Sequence, residues 1–243
     1  MTFSGFMGEF CKVLLVFLAY SACVGIPLIV IRFTMKIPDF VFRKMMHLFA
    51  VCSVFPLAFA TDLCWASVAV ICVCLVVAVV MILIHENASF FNKLFVEKST
   101  HEVAINFASF FILTAVLFSV FWGILGDKYK YIAVASIMAW GPGDGMAAIV
   151  GISSGKHKIK GKHIEGTKSV EGTAAMIITS FICTFLTLWF MKAFPWHRCF
   201  LIAAVVGVVS GFTELYTMNG WDTVSVPLAA AAIISLFQFV IYK

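Results

Sequence analysis

The sequence predicts an all-α, polytopic bundle of about eight transmembrane helices (seven to nine), and three observations carry that reading. Of 243 residues, 63% are hydrophobic and only 12% charged, with a mean hydropathy of +1.06. Soluble domains average nearer half apolar and a quarter charged. Apolar stretches close to 20 residues recur along the chain, the length that crosses a bilayer core as a helix. Six prolines and sixteen glycines leave little room for a soluble appendage, so residues 1–243 are expected to form one integral membrane domain. This composition excludes a soluble enzyme, a nucleic-acid binder, a disordered chain and a disulfide scaffold.

The spans follow in order. The first, 12–31, runs apolar up to Arg32 and reads as a retained helix, because no small-residue cleavage site follows it. The second and third, 45–61 and 63–84, are separated at Asp62. The fourth, 103–124, follows Ser99-Thr100-His101-Glu102, which fits a capping box. The fifth, 131–152, contains Gly141-Pro142-Gly143-Asp144-Gly145, where a broken helix is expected. The last three are 173–194, 199–217 and 224–242.

Lysine and arginine set the orientation. With the N-terminus outside, the inner segments hold Arg32, Lys36, Arg43, Lys44, Lys93, Lys98, Lys156, Lys158, Lys160, Lys162 and Lys168, eleven in all, against six outside. Both termini are therefore expected outside, with the polar motifs on the cytoplasmic side. Asp144, Glu165, Glu171, Glu214 and Asp222 fall at or near that same face, and charges of both signs gathered there suggest a site. The eight cysteines lie in or beside apolar runs without metal-ligand spacing, and are expected to be free thiols.

Four clusters carry chemistry. Asp144 lies about eight residues, or ~12 Å, from the inner end of its span, where a carboxylate is costly and functional by default. A resumed helix after Gly-Pro-Gly would present backbone dipoles to phosphate there, with Asp144 holding Mg²⁺. The second cluster, Gly151 to Gly172, is a basic, glycine-rich loop ending in Lys168-Ser169-Val170-Glu171-Gly172. Glycines permit close approach to an anion and lysines neutralise it. It misses the Walker A spacing by one residue, because Thr167 intervenes before Lys168-Ser169. The third, Arg43-Lys44-x-x-His47, opens the second span, with His47 at i+4 from Arg43. The fourth pairs Glu214, at the inner end of the seventh span, with Asp222-Thr223. A partly desolvated Glu214 is a candidate proton acceptor.

In this order the clusters resemble the membrane polyprenol kinase family, which includes dolichol kinase, phytol kinase and CTP-dependent diacylglycerol kinase and looks related to phosphatidate cytidylyltransferase. Arg43-Lys44-x-x-His47 resembles its RKxxH element, and Gly143-Asp144-Gly145 with Gly151 its GDGxAxxxG core. Gly155-Lys156-His157-Lys158-Ile159 and Lys168-Ser169-x-Glu171-Gly172-Thr173 resemble the GKHKI and KS-x-EGS pieces. Glu214 with Asp222-Thr223 and Val226-Pro227-Leu228 resembles the C-terminal element. Ile152-Ser153-Ser154 stands where relatives often carry Arg-Arg-Phe, and Thr223 stands in place of Asn.

The resemblance implies phosphoryl transfer from a nucleotide, typically CTP, with Mg²⁺, to the hydroxyl of a membrane lipid alcohol. It implies catalytic roles for Asp144, Lys168, Glu171, Glu214, Asp222 and His47, and metal ligation by Asp144, Glu171 and Glu214. Gly143, Gly145, Gly151, Gly155, Lys156, Ser169, Gly172, Arg43 and Lys44 would hold the nucleotide, and Glu171 would orient Lys168 or share the metal. The expected partners are the lipid alcohol, a nucleoside triphosphate and membrane lipids, without nucleic acid. A cytidylyltransferase-like enzyme making a CDP-lipid is the alternative, and a transporter a more distant one.

Overall fold

The computed structural model describes residues 2–85, 102–161, 164, 166, 168–218 and 220–242. The expected capping box at Ser99–Glu102 falls largely outside them, as do Lys162, His163, Glu165 and Thr167 of the basic loop. The described chain is all-helical apart from an isolated antiparallel bridge between Lys158 and Ser169. Seven of its helices are long and apolar enough to cross a membrane. Eight helices matter here: α1 (Phe3–Thr34), α2 (Asp39–Phe59), α3 (Cys64–His85), α4 (Asn106–Ile124), α5 (Lys130–Ser153), α6 (Val170–Phe190), α7 (Trp196–Tyr216) and α8 (Asp222–Ile241). They match the eight expected spans, and α1 begins nine residues earlier than hydropathy alone suggests.

The chain divides into two compact units, residues 1–130 and 131–243. In the first, Pro27 removes the N–H that would serve the Cys23 carbonyl, and α1 passes through a π-helical turn at Ser21–Gly25 just before it. Tyr20 fixes that turn to α2, its hydroxyl donating to the Phe49 carbonyl at 2.7 Å while the two rings stack. Arg43, Lys44 and His47 lie half-buried on the first three turns of α2.

In the second unit, α5 is the central helix. Every residue from Tyr131 to Gly141 is buried, as expected of a helix apolar on all sides. The break expected at Gly141–Gly145 is not there, because α5 is one continuous helix with Pro142 inside it. Pro142 orphans a single carbonyl, that of Met138. The next carbonyl, Ala139, accepts a hydrogen bond from Ser180 Oγ of α6 at 2.6 Å. Gly143 lets α6 come close enough for this bond, since a Cβ there would sit 2.5 Å from Ser180 Oγ and 2.6 Å from Met176 Sδ. A neighbouring helix thus packs closely against the stretch where the sequence alone indicates a break.

Helices α6 and α7 use the same device. A Cβ on Gly207 would lie 2.8 Å from the Ile177 carbonyl oxygen and 3.0 Å from Phe181 Cβ, and one on Gly211 would collide with the Ile177 side chain. Small residues at such contacts let membrane helices approach and gain dispersion contacts. Gly207→Ala would press on backbone, which cannot swing aside. We expect it to lower stability by about 1–3 kcal/mol, seen as a reduced melting temperature in detergent. Gly8→Ala, which has open space around it, should leave that temperature unchanged.

Candidate active site

The site is built where α5 ends, α6 begins and α7 ends. Ser169 caps α6. Its backbone is extended, and its buried hydroxyl accepts the Gly172 N–H at 3.2 Å, satisfying one of the donors that a helix start leaves open. The loop leading into the cap folds back on itself. Ile159 N–H donates to the Lys168 carbonyl and Val170 N–H to the His157 carbonyl, which sets Lys158 opposite Ser169.

Three glycines hold this return path against the helices. A Cβ on Gly155 would collide with the Gly151 carbonyl and lie 2.7 Å from Ser169 Oγ. One on Gly172 would lie 3.0 Å from the Ala147 carbonyl and 3.4 Å from Gly151 Cα. Gly151, Gly155 and Gly172 therefore pack the end of α5 and the start of α6 around the Ser169 hydroxyl. The resemblance implies that these glycines hold the nucleotide, and the linear motif carries no signal for the packing role.

Lys168, immediately before the cap, reaches across to α7. Its ammonium ion-pairs with the Glu214 carboxylate and also donates to the Glu214 backbone carbonyl at 3.2 Å. Both side chains are withdrawn from solvent, at 18% and 6% exposure. Glu214 lies in the last turn of α7, so the cation also meets the negative end of that helix, where carbonyls lack intrahelical partners.

Glu171 pairs with His157 and not with Lys168, which the resemblance gives as one of its two roles. Its carboxylate is taken by His157, with Nδ1 at 2.7 Å and the His157 N–H at 3.3 Å from both oxygens. This pair lies on the exposed side of the loop and fastens it to the first turn of α6. Lys158 Nζ reaches the Gly151 carbonyl at 3.4 Å, near the end of α5, and Lys156 is exposed.

Asp144 is half-buried in α5, two turns before Gly151. With α5 continuous, Asp144 does not sit at the start of a resumed helix. Asp222 opens α8, half-buried in its first turn. The Thr217 and Ser225 hydroxyls, 2.9 Å apart, tie the end of α7 to α8 beside it. Arg43, Lys44 and His47 belong to the first unit.

Among the described residues no group of three or more acids, histidines or cysteines could hold a metal ion. Of the three acids expected at the metal, Glu171 is paired with His157 and Glu214 with Lys168. A Mg²⁺ carried by nucleotide phosphates takes only one or two carboxylates from the protein, a demand that the carboxylate of Asp144 can meet.

Over 98 residues the chain is 36% identical to a phytol kinase of Synechocystis sp., a segment that covers 40% of this chain and 40% of that relative. No family model and no solved structure matches the chain.

The glycine packing is open to direct test. Gly155→Ala would force Ser169 or the Gly151 carbonyl aside and loosen the folded-back loop. We expect trypsin to cut after Lys156, Lys158 and Lys160 several-fold faster in this variant. Gly166→Ala, with nothing near its added methyl, should be cut at the wild-type rate.

Proposed function

We propose that this chain is a membrane-embedded kinase that moves the γ-phosphoryl group of a nucleoside triphosphate, CTP by its resemblance, onto the hydroxyl of a membrane lipid alcohol. The observation that carries the reading is the buried Lys168–Glu214 pair. It joins two motifs 46 residues apart beside the capped start of α6, and brings a cation, a carboxylate and a helix N-terminus together. The similarity to a phytol kinase supports the same chemistry and names a lipid alcohol as the type of acceptor. The excess of lysine and arginine in these loops supports the cytoplasmic face.

Each residue then has a role. Lys168 turns from Glu214 to the phosphates and spreads their charge, aided by Lys156 on the adjoining loop and the positive end of α6. When bound, a Mg²⁺ held by Asp144 would supply positive charge to offset the charge that develops on the phosphates. The lipid oxygen bonds to the γ-phosphorus as the bond to the β,γ-bridging oxygen breaks. CDP leaves, and the hydroxyl proton passes to a carboxylate, Glu214 or Asp222.

A cytidylyltransferase would instead attack the α-phosphorus with a lipid phosphate, which is already anionic and needs extra cations more than a base. The stretch Ile152-Ser153-Ser154 offers none. The two readings part on products. With purified protein, labelled CTP, Mg²⁺ and phytol or diacylglycerol, we expect CDP and a lipid monophosphate, without pyrophosphate. Asp144→Asn, shown folded by its melting curve, should lower turnover at least about a hundredfold. Pyrophosphate with a CDP-lipid would overturn the kinase reading, and near-normal turnover in folded Asp144→Asn would overturn the role of Asp144.

A further inference from the structure

The contact between His157 and Glu171 has the make-up of an anion site that is already filled. Glu171 Oε1 lies 2.7 Å from His157 Nδ1, and the His157 backbone N–H is 3.3 Å from both carboxylate oxygens. An ionised carboxylate only accepts hydrogen bonds, so Nδ1 carries the proton. One residue thus holds an anion with a backbone N–H and a ring N–H, and it stands between Lys156 and Lys158 in the chain. Backbone amides and nearby cations are the means by which loops receive phosphate.

The donors are set in place without Glu171. Val170 N–H donates to the His157 carbonyl at 3.0 Å, and Ile159 N–H donates to the Lys168 carbonyl at 3.1 Å. These two bonds flank the Lys158–Ser169 bridge and tie the strap to the residues around the start of α6. If the carboxylate left, the backbone of His157 would stay where it is. At the start of α6, by contrast, two donors are already committed within the fold. Val170 N–H serves the His157 carbonyl, and Gly172 N–H serves the Ser169 hydroxyl.

The occupant is exchangeable. The side chains of His157 and Glu171 are 78% and 26% exposed, and ion pairs open to water are weak. A released Glu171 carboxylate can therefore turn to solvent, whereas the Lys168–Glu214 pair is withdrawn from it. A nucleoside triphosphate carries more negative charge than one carboxylate, and Lys156 and Lys158 favour it further.

We propose that the backbone and imidazole N–H groups of His157 form a phosphate seat of the nucleotide site. Glu171 is its built-in competitor, filling the seat until a nucleotide phosphate displaces it. This rests on the kinase reading and adds to it a pair of donors and an order of events. The strap closes on its own carboxylate when no nucleotide is bound, and nucleotide binding frees Glu171.

The test reads CTP binding by calorimetry, with Mg²⁺ and purified protein, each variant being shown folded by its melting curve. Glu171→Gln should tighten CTP binding by about two- to fivefold, the worth of an exposed pair removed from competition. His157→Ala should weaken it by roughly three- to tenfold. His157→Asn, whose amide donates from nearly the position of Nδ1, should recover most of that loss. The gain from Glu171→Gln should be smaller in the His157→Ala background, because the two residues act on one seat. Weaker or unchanged CTP binding by Glu171→Gln, or an equal gain in both backgrounds, would overturn the proposal and leave the kinase reading standing. No binding of CTP, ATP, GTP or UTP by folded wild type would overturn both.

Discussion

A single buried ion pair organises the second unit. Lys168 and Glu214 are both largely withdrawn from water, and neither charge is tolerated there without the other. The pair links the residue that precedes α6 to the last turn of α7. It therefore works only in the register that the glycines of α7 impose, with Gly207 and Gly211 seated against Ile177 and Phe181. A slip of one helical turn would move the two ends apart by about 5.4 Å and strand both charges. The packing of small residues and the placing of the charges are thus one constraint seen at two depths.

The rest of the site depends on that anchor. With Lys168 held, Ser169 falls at the cap of α6, and the loop returns along Lys158 and Ile159 beneath the end of α5. Three glycines leave room for it, and the His157–Glu171 pair closes it on the exposed side. The outcome is a polar rim where α5 ends and α6 begins, carrying a helix start and several cations. Under the proposed kinase reading, position and charge are what phosphoryl transfer asks of the protein.

The spans were legible in the sequence because a bilayer tolerates only long apolar helices, and α5 through α8 begin and end close to where hydropathy places them. Asp144 and Glu214 were legible as candidates because an acid within an apolar stretch is costly. Their partners were not. Nothing local connects Lys168 to Glu214 across 46 residues, and Glu171 finds His157 only because the loop folds back. Gly-Pro-Gly reads as a break in isolation, yet α5 stays whole with α6 packed against it through Gly143 and Ser180. Gly155 and Gly172 look like phosphate glycines in a linear motif, and only the packed helices show what their missing side chains make room for.

The most direct measurement is a double-mutant cycle on unfolding free energy in detergent, with Lys168→Met, Glu214→Gln and both together. If the pair is the keystone, Lys168→Met should cost about 3–5 kcal/mol by leaving a buried carboxylate unpaired. The double variant should then be less damaged than the sum of the singles, by about 2 kcal/mol or more. Additive losses, or singles that cost less than about 0.5 kcal/mol each, would contradict the account.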